Sequence, residues 1–400
     1  MQVKTVKSVK AEQLLDEYKV GSSFFFASPS RTLSAEGIFA TIERDGVHGE
    51  KTELIRRVKA ALKQASQAGA AGNPLVVGAM PFDIQDSIHL FVPETVHWAG
   101  PLPFEQLQRE RERSCLGEYE IAPVPAPKAY EYAVEQGLKE IASGSLEKIV
   151  LSRSLHLSTG GAIDVPRILR NLAGNNEKGY TFAVDVRHHR QDSQKTLLGA
   201  SPELLVSRDG QQVTANPLAG SVPRSKDPEE DGRRAAALLA SEKDRHEHAV
   251  VVEAVAQSLR PFCRTLTIPD EPSLVQTETM WHLSTVLNGE LADPSVDSLT
   301  LALALHPTPA VCGTPTALAK KTIQELEPFH RGFFTGMVGW SDSQGNGEWI
   351  VTIRCAEAEA RLIKLFAGAG IVAGSAPEKE LAETSAKFRT MLQAMGLNDE

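Results

Sequence analysis

The stretch GMVGWSDSQGNGEWIVTIRCAEAEARLIKLFAGAGIV, residues 336–372, decides the fold class. It reads as strand, turn, strand, strand. The turn is DSQGNG, residues 342–347, whose glycines, asparagine and aspartate suit backbone that reverses within a few residues. Strands joined by so short a turn pair antiparallel, because a parallel neighbour needs a long crossover. A helix is expected over 377–395, with proline at a tolerated first position. Upstream, KIVLSRSLHL (148–157) alternates like a strand. Residues 196–215 read as two strands around the Asp209-Gly210 turn pair. Residues 130–143 and 228–259 have helical spacing, the second in one or two pieces. Without βαβ alternation, this mixture is α+β.

IAPVPAP (121–127) interrupts the pattern. Its prolines favour an extended segment and oppose both helix and inner strand. It divides residues 1–120 from 121–400 and is expected to be a crossing loop within one fold. No internal repeat is evident.

The composition narrows the function classes. The chain has 400 residues, 51 acidic and 42 basic, for a formal charge of −9. Hydrophobic residues make up 42% and charged ones 23%, an ordinary globular balance. The acidic balance, with no Lys/Arg cluster, argues against binding a phosphate backbone, so no nucleic-acid partner is expected. A small anion remains possible, since it needs only one or two local cations or a metal ion. Cys115, Cys263, Cys312 and Cys355 show no metal-ligand spacing and are expected to be reduced thiols. The N-terminus lacks the apolar core of a secretory signal. The uncharged stretch 298–319 is broken by His306, Pro307, Pro309 and Pro315, so no membrane span is expected. A soluble, cytoplasmic protein is the expectation.

Several constellations could carry chemistry, each with a plainer alternative. In the closing helix, Glu380, Glu383 and Lys387 fall within an arc of about 60°. They are either a solvated Glu–Lys face or part of a site. In SEKDRHEH (241–248), His246 and His248 point about 200° apart on a helix and cannot share a metal. Asp244 and Glu247 can face one way. Two acids here and two on the closing helix would suit a hard divalent cation such as Mg²⁺; a salt-bridged surface is the alternative. Lys148 opens an apolar strand, either as an edge residue or as a buried amine with a lowered pKa, fit for a general base. Glu203, in GASPELL, is a strand-end residue or a carboxyl with a raised pKa, fit for a general acid. Arg354, in VTIRC, could fork onto a carboxylate. Gly368-x-Gly370-x-x-x-Gly374 lies too near the end of the sequence to open a dinucleotide-binding βαβ unit.

The order of these signals is more specific than any one of them. EKIVLSR at Lys148, GASPELL at Glu203, PLAGS at 217–221, SEKDRHEH, TIRCA at 352–356, AGAGIV and the final ExxET…K together resemble the chorismate-utilising enzymes. SSFFFASPSRTL, VGAMPF, Trp281-His282-Leu283, LHPTPAVCG and GNGEW resemble the siderophore-type isochorismate synthases within that family. The resemblance spans nearly the whole chain.

That resemblance implies one large α+β domain with two stacked antiparallel sheets and helices outside. It implies Mg²⁺-dependent, reversible conversion of chorismate to isochorismate, feeding catecholate siderophore formation. Lys148 would activate water for attack at C2, and Glu203 would protonate the departing C4 hydroxyl. Glu247, Glu380 and Glu383 would hold Mg²⁺, with Asp244 behind them. Gly220, His282, Arg354, Gly368 and Lys387 would line the site and hold the substrate. Ala219 stands where aminodeoxychorismate synthases carry a nucleophilic lysine. PLAGS replaces the PIAGT of anthranilate synthases, and no glutaminase partner is expected. Salicylate synthase and the menaquinone-pathway isochorismate synthase remain the alternatives. A monomer is expected.

Overall fold

The long strand Lys148–Thr159 runs antiparallel to Leu362–Ile371, in register from Ile149 opposite Ile371 to Ser158 opposite Leu362. A computed structural model describes residues 4–5, 9–42, 51–69, 72–110, 118–186 and 194–397. Cys115 lies outside them. This strand pair belongs to an eleven-stranded sheet, which faces a nine-stranded sheet; a three-stranded sheet lies beside them. Among the described residues every ladder is antiparallel except Lys4–Thr5 against Thr95–Val96.

Four layers result. Between the two large sheets lies an aromatic-rich core that includes Phe24, Phe26, Phe182, Phe334 and Trp340. The other face of the nine-stranded sheet packs on helices Lys51–Gln67, Glu242–Leu259 and Ser298–Leu305. The other face of the eleven-stranded sheet is covered by helices that include Val165–Ala173 and Pro377–Ala394. Each large sheet is therefore covered on both faces, and several of its strands are buried along their length rather than alternating. Ser23–Ala27, Leu75–Met80 and the first seven residues of Lys148–Thr159 are buried throughout.

The expected strands and helices are present, with three differences. The segment 121–127 is largely strand: Tyr119–Val124 pairs with Lys148–Thr159 along an outer edge. Pro123 is tolerated there because an edge residue needs no donor on its open side; Pro125 lies past the strand, and Pro127 opens the helix Pro127–Ala142. The expected pair of strands over 196–215 is three. Lys195–Ser201 lies in the eleven-stranded sheet, whereas Leu204–Asp209 and Gln212–Asn216 form the hairpin in the other. The stretch 336–372 likewise has four strands, breaking after Gly347–Val351 and resuming as Cys355–Glu359 in the opposite sheet.

Those two breaks position the site. The chain crosses between the sheets at Pro202–Glu203 and again at Thr352–Arg354. The crossings are neighbours, since Leu204 pairs with Ile350 and Gly199 with Cys355. Both crossings deliver an ionisable side chain, Glu203 and Arg354, into the space between layers. The 1–120 segment is woven into both large sheets, with Ser23–Ala27 beside Tyr180–Asp185 and Leu75–Met80 beside Met337–Asp342.

Candidate active site

A cleft opens where the crossings, the small sheet and two helices meet. Glu203, Gly220, Glu247, His282, Arg354, Gly368, Glu383 and Lys387 line it. Lys148 and Glu380 lie one layer behind. Lys148 is wholly buried, with Nζ 2.8 Å from Glu247 Oε1. That contact is an ion pair without the alignment of a hydrogen bond. Glu380 is buried too, its Oε1 3.1 Å from Lys243 Nζ. The plainer alternatives, an edge lysine and a solvated face, thus do not describe Lys148, Glu380 or Glu383.

Local backbone explains each placement. Ser241 caps the helix Glu242–Leu259 by accepting the Asp244 N–H, which sets the helix entry and turns Glu247 inward. Pro377 begins the closing helix, where its missing N–H costs nothing. Lys387 then reaches back to donate to the Gly368 carbonyl at 2.9 Å and pairs with Glu383 at 2.6 Å. Ser221 donates to Glu383 Oε1 at 3.1 Å. Gly220 sits at φ 76, a left-handed turn of the strand Leu218–Pro223 that favours glycine. Gly370 is required by close approach: a Cβ there would fall 2.2 Å from Glu247 Oε1 and 3.1 Å from Lys148 Cε. Arg354 itself has φ 49, a conformation that costs a non-glycine residue about 1–3 kcal/mol. Thr335, also on the cleft wall, has φ 58.

Burial controls the electrostatics. It pushes the Glu203 carboxyl up to about 8, against the Leu218 N–H and the charges of Lys148, Arg354 and Lys387. Glu203 is therefore protonated at neutral pH. Burial, with Arg354 and Lys387, drives His282 well below its usual value, so the imidazole is neutral. Its Nε2 lies 3.4 Å from Arg354 Nη2, a pairing that requires the proton on Nδ1. Burial lowers Arg354 to about 10, still charged at pH 7. Burial, with the charge of Glu383, raises Glu380; burial, with Glu247 and Glu383 nearby, raises Asp244. Glu383 goes the other way, because Lys387 and Ser221 outweigh burial.

Among the described residues no three His, Cys, Asp or Glu side chains converge as a ready-made metal cluster. The carboxylates expected to hold Mg²⁺ share one neighbourhood, but each is occupied by a lysine: Glu247 by Lys148, Glu380 by Lys243, Glu383 by Lys387. The donor set nonetheless fits a hard cation. It is oxygen-only, comes from two facing helices, and has the bare Gly370 beside Glu247.

Sequence reasoning missed a second ring of residues. Arg331 donates to the Val150 and Val311 carbonyls, each at 2.8 Å, and to Thr335 Oγ1 at 3.3 Å. All three recipients line the cleft. The Arg331 guanidinium pairs at 2.6 Å with Glu327, which accepts the Ser152 N–H at 2.8 Å. The i,i+4 spacing of Glu327 and Arg331 was visible, but Pro328 between them hid any helical meaning. Phe334 and Phe366, stacked at 5.1 Å, form an apolar wall that no motif announced.

A buried acid, a buried lysine and the cations Arg354 and Lys387 gathered at one cleft are the make-up of an enzyme active site. A family model described as "Chorismate binding enzyme" matches residues 105–396, and the chain belongs to that family. It is 61% identical over 395 residues to the isochorismate synthase DhbC of Bacillus subtilis, covering 98% of both chains. It is 43% identical over 391 residues to the vibriobactin-specific isochorismate synthase of Vibrio cholerae, covering 97% of this chain and 96% of that one. A crystal structure titled as a putative 2,3-dihydroxybenzoate-specific isochorismate synthase, DhbC from Bacillus anthracis, superposes with a TM-score of 0.91. It is 54% identical and covers 97% of this chain and all of that one.

Proposed function

We propose that this chain is an isochorismate synthase that uses Mg²⁺ and supplies 2,3-dihydroxybenzoate formation, as in catecholate siderophore production. The observation that carries the reading is Glu203: a buried carboxyl, protonated at neutral pH, facing a cleft that also presents Arg354 and Lys387. A group held neutral beside cations is suited to donate a proton, not to bind one. The relatives named as isochorismate synthases, at 61% and 43% identity, support the same reaction.

Roles follow from chemistry and position. Lys148 is the group to take the proton of the water that adds at ring C2, a role for its neutral amine and not for the ammonium that pairs with Glu247. Glu203 gives its proton to the C4 hydroxyl as it leaves, so the product is an isomer and the proton inventory balances. Arg354 and Lys387 hold the substrate carboxylates, and the Gly368 backbone fixes Lys387. Gly220 and neutral His282 shape the ring pocket. Glu247 and Glu383, with Glu380 behind, are the groups that would hold Mg²⁺. When bound, the ion would neutralise a substrate carboxylate and support charge that develops on the ring. Every site residue lies within 121–400, and a monomer is part of the proposed reading. The reaction adds water and needs no glutaminase.

The test is product analysis with chorismate and Mg²⁺ in the absence of ammonia. A chorismate–isochorismate equilibrium mixture, lost on adding chelator, is expected. Salicylate with pyruvate, or turnover only with ammonia, would replace the reading with a sister activity.

A further inference from the structure

The carboxylate cluster is already partly neutralised, and unevenly. Lys148, Lys243 and Lys387 pair with Glu247, Glu380 and Glu383, and Asp244 stands beside them as a fourth acid. Two of these lysines are locked in. The Lys148 side chain is 1% exposed, and that of Lys387 is 12% exposed and also tied to the Gly368 carbonyl. Lys243 differs: its side chain is 36% exposed, while its partner Glu380 is 2% exposed. Lys243 stands in the first turn of its helix, one turn before Glu247, and its ammonium bridges to the closing helix. Asp244, Glu247 and Glu380 all act on its charge, and it in turn acts on Glu383. It is therefore the one lysine of the three shared by all four acids with a way out to solvent.

We propose that Lys243 is a placeholder cation, holding the carboxylate cluster together until a divalent ion displaces it, and thereby setting the affinity for that ion. The physical case has two sides. A buried carboxylate left without a partner is strongly destabilising, so the ion-free cluster needs a cation at Glu380. A half-exposed lysine leaves such a contact cheaply, because its head rehydrates and its stem regains rotamer freedom. An ion of twice the charge with a preference for hard oxygen donors outcompetes it. Release of Lys243 also frees the bridge between the two helices, so the cleft is braced differently before and after the ion binds.

This inference rests on the metal reading above, and its test separates the two. The full-length wild type, Lys243→Gln and Lys243→Arg are titrated with Mn²⁺, and unbound ion is measured by its electron paramagnetic resonance signal, with and without chorismate. Circular dichroism checks that each variant is folded. Removing one partly exposed unit charge beside a dication should tighten binding by about tenfold in Lys243→Gln. Lys243→Arg, which keeps the charge, should stay within about twofold of wild type on the same argument. Unchanged or weaker binding by Lys243→Gln, with the wild type binding normally, overturns the placeholder role and makes Lys243 a structural strap. Absence of any saturable Mn²⁺ binding by the wild type, even with chorismate, overturns the metal reading instead.

Discussion

Replacing Glu203 with glutamine separates two consequences of one buried proton. The carboxyl titrates at about 8 in the folded chain against 4.5 for the free group. A carboxyl raised by folding binds its proton more tightly in the native state than in the unfolded one. Unfolding therefore releases that proton between pH 4.5 and about 8, and native stability falls as pH rises through this window. Neutral pH lies about 2.5 units into the window, so at roughly 1.36 kcal/mol per unit the penalty is about 3 kcal/mol. Glutamine keeps the shape, can still accept the Leu218 N–H, and does not titrate. An unfolding entropy near 2.1 cal/mol/K per residue makes the penalty worth about 4 °C in a chain this long. The melting temperature of Glu203→Gln minus that of wild type should thus grow by about 4 °C from pH 4.5 to 7. Scanning calorimetry at matched rates measures this, and the subtraction cancels the other titrating groups. The same variant should lose about 10²- to 10⁴-fold in turnover, as expected for a missing general acid. In the wild type, turnover should decline as pH rises through about 8. A melting difference that does not change with pH would refute the buried neutral carboxyl, and an unaffected rate would move the acid role elsewhere.

Three further outcomes are expected. Lys148→Ala should abolish turnover while chorismate binding, followed by calorimetry, persists; substantial residual turnover would remove Lys148 as the base. Gly370→Ala would place a methyl group 2.2 Å from Glu247 Oε1, so the Mg²⁺ concentration giving half-maximal rate should rise at least about tenfold while circular dichroism is unchanged; an unaltered Mg²⁺ requirement would show that Glu247 needs no such room. Glu327→Ala leaves the Arg331 guanidinium buried without its counter-ion, which should cost about 3–5 kcal/mol and lower the melting temperature by roughly 4–6 °C; a melting temperature within about a degree of wild type would mean that the carbonyls alone hold Arg331.

Much of the site was legible because its residues are chemically unusual where they stand. A lysine opening an apolar strand, a glutamate inside GASPELL and paired acids on amphipathic helices each break the local pattern, and such breaks concentrate at functional sites. The resemblance in motif order then joined positions that no spacing rule could connect. The Glu327–Arg331 pair and the Phe334–Phe366 wall were not legible. Their sequence neighbourhoods look like ordinary loop and strand, and their meaning lies in which backbone carbonyls and rings they meet.

The sequence by itself determined the α+β class, the hairpin at Asp209-Gly210, the helical stretch 228–259 and the closing helix, because turn chemistry and hydrophobic period are local properties. Tertiary structure decided which sheet each strand joins. Local sequence cannot register that the chain changes layers at Glu203 and at Arg354, since both breaks look like strand continuations until another strand pairs across them. It also decided the state of each charge. Lys148 meets Glu247, Lys243 meets Glu380 and Lys387 meets Glu383 only after two distant helices pack beside the sheet. Burial and neighbouring charge, which set these groups apart from ordinary surface residues, exist only in the folded chain.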